Sequence, residues 1–196
     1  MKTKILVKGL PAALVGLRAA CGPVLLACAA LGASRWLLAA LLTVALLSDV
    51  FDGIVARRLG VATPFLRRAD SLVDTAFYLC ATAALATRAP AVLWSHLTGI
   101  AIVGALEVSR WVLERHRYGR IAAYHMWSAK LWGIALWLGF CEAFLTGRSG
   151  PLMQAAVATG ILTDIEGLAA SLVLSSWHHD VRSIWHAVRL ERAVER

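Results

Sequence analysis

The 196-residue sequence predicts an all-α integral membrane protein with six transmembrane helices, and three observations carry that prediction. Hydrophobic residues make up 59% of the chain and charged residues only 16%, with a mean hydropathy of +0.68, which is far from the composition of a soluble domain. The apolar stretches, cut at charged or turn-rich breaks, give six spans. Each is long enough to cross about 30 Å of hydrocarbon at about 1.5 Å per residue. Basic residues gather on alternate connections, as the positive-inside rule requires of a multi-pass topology.

Taken in order, residues 1–10 are Lys-rich with Ile5, Leu6, Val7 and Leu10 between the charges. They fit a short basic amphipathic lead-in along the inner membrane surface, with a disordered start as the alternative. The first span, 11–32, has too long an apolar run for a signal peptide and no clear small-residue cleavage site, so it reads as retained. The second span is 36–56, and the connection 57–69, with Gly60 and Pro64, leads to the third at 70–87. Spans 90–113, 127–146 and 151–176 follow. In the tail 177–196, Trp177, Val181, Ile184, Trp185, Val188 and Leu190 recur at spacings of three and four, which predicts an amphipathic helix lying on the surface. Without internal repeats or linkers, residues 1–196 read as one domain.

With an even number of spans, both termini share a side with the loops around 57–69 and 114–126. That side collects Lys2, Lys4, Lys8, Arg57, Arg58, Arg67, Arg68, Arg115, Arg117, Arg120 and the tail arginines, whereas the other holds only Arg35, Arg88 and Arg148. The basic side is therefore expected to be cytoplasmic, with the protein in the inner (cytoplasmic) membrane. The net charge of +8 rings a membrane boundary and forms no soluble basic face, so membrane lipids and phosphorylated substrates are the expected partners and nucleic acid is not. Trp36, Trp94, Trp111, Trp127 and Trp177 fit interfacial belts, with Trp132 and Trp137 deeper. Cys21, Cys28, Cys80 and Cys141 all fall inside spans without metal-ligand spacing and read as packing residues.

The chemistry lies at the inner end of the second and third spans. Asp49 and Asp52 are three apart, and Asp70 and Asp74 are four apart. Both spacings put the pair on one helical face. A helical hairpin through the 57–69 connection brings the four carboxylates together. Carboxylates are costly near a bilayer core unless compensated. An oxygen-only donor set of this density suits a hard divalent ion, Mg²⁺ or Mn²⁺, and the lack of His or Cys argues against zinc. Gly53 and Ala56 beside the acids permit close approach of a ligand whose phosphates Arg57 can meet. The competing reading makes Gly53 and Ala56 a helix-packing contact and pairs the acids with nearby arginines.

Asp49, Asp52, Gly53, Ala56, Arg57, Asp70 and Asp74 closely resemble the signature of the CDP-alcohol phosphotransferase family (CDP-alcohol phosphatidyltransferases), with every acid at the family spacing over 26 residues. The resemblance implies a six-helix membrane enzyme, usually a homodimer, with a two-metal site open to the cytoplasm. It implies a transferase of phospholipid biosynthesis that moves a phosphatidyl group from a CDP-alcohol, such as CDP-diacylglycerol, to an acceptor alcohol and releases CMP. By position, Asp49, Asp52, Asp70 and Asp74 would bind the metals, Asp74 would also be the general base, and Asp52, Gly53, Ala56 and Arg57 would line the CDP site. Two positions depart from the family. Leu66 stands where the family has Gly, and the first span reads Pro11-Ala12-Ala13-Leu14-Val15-Gly16-Leu17-Arg18 where many members carry Pro-Asn-x-Leu-Thr-x-x-Arg.

Other charged residues suggest an acceptor site. Arg67, Arg68, Arg110 and Lys130 offer positive charge to a phosphorylated acceptor such as a phosphorylated polyol, and Arg120 and His125 lie in the neighbouring loop. Arg110 is equally placed for structural ion pairs with Glu107, Asp164 or Glu166. His178, His179 and Asp180 form an interfacial solvated trio and not a metal cluster. Two rival functions remain at this level: a cation-coupled transporter, against which the one-sided acid cluster and the lack of an inverted repeat argue, and a non-catalytic membrane protein that binds CDP-alcohols.

Overall fold

The computed structural model describes residues 2–60, 64–122, 124, 126–178 and 181–194, with 2–8, 64, 65, 67, 68 and 194 described by backbone alone. Every regular element among them is an α-helix: α1 (Lys2–Ala30), α2 (Arg35–Leu59), α3 (Pro64–Arg88), α4 (Pro90–Tyr118), α5 (Trp127–Thr146), α6 (Pro151–Val173) and α7 (Ile184–Val194). Five are long and apolar enough to cross a bilayer: Gly9–Ala30 within α1, and the whole of α2, α4, α5 and α6. The chain is a multi-pass membrane protein. The expected third span, 70–87, is not among the five. The helix that holds it, α3, has 25 residues, enough in length, but its first half carries Arg67, Arg68, Asp70 and Asp74.

The helices also end in places the sequence did not suggest. No separate lead-in precedes the first span, since α1 runs unbroken from Lys2 and continues through Pro11 and Pro23. Each proline removes one intrahelical donor, and the helix tolerates the loss. Much of the expected 57–69 connection is helical, with 57–59 in α2 and 64–69 in α3, and residues 61–63 lie outside the described residues. Arg57 and Arg58 occupy the last turn of α2, where cations suit the negative end of the helix dipole, and Gly60 closes it at φ 64° with its N–H bonded to the carbonyls of Ala56 and Arg57. Pro64 opens α3 and Pro90 opens α4, a position where fixed φ and a missing donor cost nothing. Ala89 alone separates α3 from α4.

The residues form two compact units, Met1–Leu93 with Phe140–Arg148, and Trp94–Gly139 with Ser149–Arg196. In the first, α1 packs against both α2 and α3. The approach of α1 to α3 is close at Gly22, where a Cβ would meet Cys80 at 3.4 Å and the backbone of Phe77 at 3.5 Å. Leu25, Leu38, Leu42 and Leu85 are buried in this unit.

In the second unit, small residues again allow helices to meet. A Cβ on Gly139 would lie 3.0 Å from the Met153 backbone, and one on Gly160 would strike the indole of Trp132, one of the two deeper tryptophans. The tail does not lie free along a surface. Its helical part is α7, which packs on α6: Val181 and Ala187 are buried in one cluster with Met126, Ala170 and Leu174, joined by Ile184 and Leu190. Of the predicted apolar face, Trp185 points away and stays 76% exposed. The spacing is helical, but the partner of its apolar face is the protein itself.

Candidate active site

Arg18, in the middle of α1, is 1% exposed and sits among all four aspartates. Its Nη1 lies 3.1 Å from Asp49 and 3.0 Å from Asp70 and also pairs with Asp74, while Nη2 pairs with Asp52. Three helices supply these groups: Arg18 from α1, Asp49 and Asp52 from α2, Asp70 and Asp74 from α3. The helical-face argument thus holds for both acid pairs, and the fifth group they share comes from α1. Asp52 is 5% exposed, whereas the side chains of Asp49, Asp70 and Asp74 are 34–43% exposed.

One guanidinium against four carboxylates leaves the cluster strongly anionic. Oxygens of Asp49, Asp70 and Asp74 come within 4.8 Å of one another, a set of hard donors able to share a metal ion; Asp52 is not in that group of three. The donor chemistry and the unbalanced charge fit a divalent cation. The accessible acids are the ones that meet each other, and the buried one is held by Arg18.

Gly53 and Ala56 lie on α2 beside the acids. Ala56 is buried. The guanidinium of Arg57 folds back over Gly53, where a Cβ would stand 3.3 Å from Arg57 Nη1. Glycine there leaves room for that arginine. Tyr78, one turn after Asp74, packs its ring edge-on to Phe77 at 5.5 Å and on Phe140 at 6.0 Å, an aromatic wall continued to Phe144.

A sequence profile of the CDP-alcohol phosphatidyltransferase family matches residues 8–185. The chain belongs to the CDP-alcohol phosphatidyltransferases. Comparison with curated proteins and with solved structures returned no significant match. Membership in this transferase family accords with transfer of a phosphatidyl group from a CDP-alcohol, and with the aspartate cluster. For this CDP-alcohol phosphatidyltransferase, Arg18 is the residue that the reading of charged side chains passed over. It ends the Pro11–Arg18 stretch, and the signal was available: an arginine in mid-span needs a buried anionic partner.

The residues suggested for an acceptor site are in different settings. The backbones of Arg67 and Arg68 lie in α3, and their side chains are outside the described residues, as is His125. Arg110, in the second unit, donates to both oxygens of Glu107 at 2.6 and 2.7 Å and lies 3.7 Å from Glu114. Asp164 adjoins this group, whereas Glu166 turns elsewhere and accepts from the N–H of Ile184 at the start of α7. Lys130 stands 4.4 Å over the Trp127 ring, and Arg120 covers Trp177 at 3.9 Å. His178 bonds locally to Ser176; His179 and Asp180 are outside the described residues.

Glu114 was not anticipated. It is fully buried, and its carboxylate accepts from the Ala122 N–H at 2.8 Å and the Ser171 hydroxyl at 2.7 Å. Tyr118 donates to the carbonyls of Ser171 and Leu174, and the Tyr124 hydroxyl meets Ser171 at 3.1 Å. These bonds tie the α4–α5 connection to the end of α6. Burial pushes the Tyr124 phenol upward, so it stays neutral in this network.

Proposed function

We propose that this protein is a Mg²⁺- or Mn²⁺-dependent phosphatidyltransferase of phospholipid biosynthesis. It moves a phosphatidyl group from a CDP-alcohol such as CDP-diacylglycerol to an acceptor alcohol, with a phosphorylated polyol as the first acceptor class to test. The observation that carries the reading is the meeting of all four signature aspartates around one cationic point, with three of them within mutual ligating distance.

In this reading Asp49, Asp52, Asp70 and Asp74 hold two metal ions, which when bound neutralise the diphosphate and the departing CMP. Gly53 gives the nucleotide backbone-close access, with Ala56 behind it, and Arg57 swings from its resting place over Gly53 to the phosphates. Asp74 takes the proton of the acceptor hydroxyl. The acceptor oxygen forms its bond to the phosphatidyl phosphorus as the bond from that phosphorus to CMP breaks, and CMP leaves with the electron pair. Asp52, with its side chain 6% exposed and fixed by Arg18, serves as the rigid reference of the site. Arg67 and Arg68, on the same helix as Asp70 and Asp74, are proposed to meet the acceptor's phosphate.

The reading also takes α3 as a sixth crossing, because Arg18 offsets the charge that its aspartates bring into the membrane. The site then opens to the cytoplasm, as the basic loops require, with the protein acting as a homodimer in the inner membrane.

The test is CMP release from CDP-diacylglycerol by purified protein, with Mn²⁺ or Mg²⁺ and a pooled acceptor panel, for wild type beside Asp74→Asn. Loss of a general base lowers turnover by about 10²- to 10⁴-fold. No metal-dependent release by the wild type across the panel overturns the proposal, and CDP-alcohol binding without turnover makes the protein a non-catalytic binder.

A further inference from the structure

At the other end of the first unit, Arg35 opens α2 and Arg88 closes α3. Along the helices they lie about 21 Å from Asp49 and Asp74, at about 1.5 Å per residue. Both line one cavity of about 320 Å³, whose remaining wall is Ala89 and the end of α5 from Ala143 to Gly147. Each guanidinium is oriented by a single carbonyl: Arg35 Nη1 donates to Leu145 at 3.0 Å and Arg88 Nη2 to Ala33 at 3.2 Å. Among the described residues neither pairs with a carboxylate. Each guanidinium has five N–H donors in a planar fork. Two positive charges therefore share a cavity with most of their donors uncommitted.

Two exposed apolar side chains lie close to Arg35 in the sequence, outside the cavity lining. Leu31, in the turn before α2, is 86% exposed, and Trp36, next to Arg35, is 71% exposed. A tryptophan beside arginines at the end of a membrane-length helix is the pattern of a headgroup boundary, where the indole lies at the interface and acyl chains run along the helix. The chain places only three basic residues on this face, so a meeting of two in one cavity is not explained by topology. Water-exposed arginines that serve solubility alone have no need to converge.

We infer that the Arg35–Arg88 cavity binds a phosphate group, presented by an anionic phospholipid headgroup, at a site separate from the aspartate cluster. The two guanidinia grip the phosphate oxygens bidentately, and Leu31 and Trp36 receive the upper acyl chains. The volume is ample for a phosphate with its glycerol.

The experiment uses the full chain in nanodiscs of equal phosphatidylglycerol and phosphatidylcholine, ejected for native mass spectrometry in EDTA, which leaves the aspartate cluster anionic and repellent to phosphate. Wild type is expected to retain one phosphatidylglycerol over phosphatidylcholine by at least about tenfold. Arg35→Gln and Arg88→Gln each lose that preference. Arg35→Lys and Arg88→Lys, which keep the charge, retain part of it. Arg148→Gln, a nearby exposed change outside the cavity, leaves it intact. Displacement of the lipid by millimolar inorganic phosphate upholds the phosphate site and makes free phosphate a competing source. Equal retention of the two lipids by wild type overturns the inference, as does a preference that survives in a folded Arg35→Gln/Arg88→Gln double variant. The readout requires no catalysis, so it stands or falls independently of the transferase reading.

Discussion

Arg18 Nη1 lies 3.0 Å from Oδ1 of Asp70, a residue 52 positions later in the chain. That pair joins α1 to α3, and the Arg18–Asp52 pair joins α1 to α2. The cationic side chain is therefore the hub through which three helices of the first unit hold four like charges together. Without a cation, four carboxylates this close in a low-dielectric setting repel one another strongly.

Arg18→Gln should cost about 3–5 kcal/mol of stability in EDTA, since removing one partner leaves buried charge uncompensated. Added Mn²⁺ should raise the melting temperature of the variant more than that of the wild type, because the vacated centre becomes a fuller cation site. A thermal shift assay with and without metal reads both effects. No metal-dependent shift in either protein would argue against metal binding at these aspartates.

Gly53→Ala separates stability from function. Alanine is better than glycine in a helix interior by up to about 1 kcal/mol. Its Cβ, however, would stand 3.3 Å from Arg57 Nη1 and displace that guanidinium. The variant should melt no lower than wild type while its KM for the CDP-alcohol rises by about tenfold, because the Cβ narrows the backbone-close access that Gly53 gives the nucleotide. Steady-state kinetics with kcat and KM resolved separately provide the check.

Glu114→Ala should destabilise the second unit by about 2–4 kcal/mol, because it strands the Ala122 N–H and the Ser171 hydroxyl in a buried setting. Ser171→Ala, which removes one neutral partner, should cost about 1 kcal/mol. Urea or thermal denaturation of the two variants in the same detergent measures the order, and an equal cost would contradict the assigned network.

Hydrogen bonds from the Ser175 side chain and from the Ser175 N–H, the latter at 2.9 Å, hold the Glu191 carboxyl below the usual glutamate range. A depressed carboxylate contributes stability that is complete above the unfolded pKa and is lost as pH falls through the folded one. The α6–α7 joint should therefore be tight at neutral pH and loosen below about pH 4, the ordinary glutamate range. Hydrogen exchange of the Ser175 peptide, normalised to its intrinsic rate, should show protection that falls toward about pH 3 in wild type. In Glu191→Gln the protection should be weak at both pH values.

Much of the site was legible because its information is local. Carboxylates three and four apart must share a helical face, so Asp49 with Asp52 and Asp70 with Asp74 followed from helical spacing alone. Arg18 was harder to read because its partners are at sequence separations of 31 to 56 residues, and no local pattern encodes them. The boundary of α3 misled for a related reason. Pro64 and the Arg67–Arg68 pair make 64–69 look like a connection, yet Pro64 is a favourable first residue of a helix, and the helix starts there.

The tail shows the division most clearly. The spacing of Val181, Ile184, Trp185, Val188 and Leu190 predicted that an amphipathic helix would form, since side-chain periodicity is a property of the backbone geometry. It did not establish what would cover the apolar face, because a bilayer and a protein core attract such a face by the same hydrophobic effect. The tertiary structure decided for Leu174, Val181 and Met126. By itself the sequence determined the helices, the membrane and the chemistry of the donor set, which depend on composition and short-range spacing. Only the tertiary structure decided which cation stands among the aspartates and which surface the last helix buries, since both depend on contacts between residues that the chain keeps far apart.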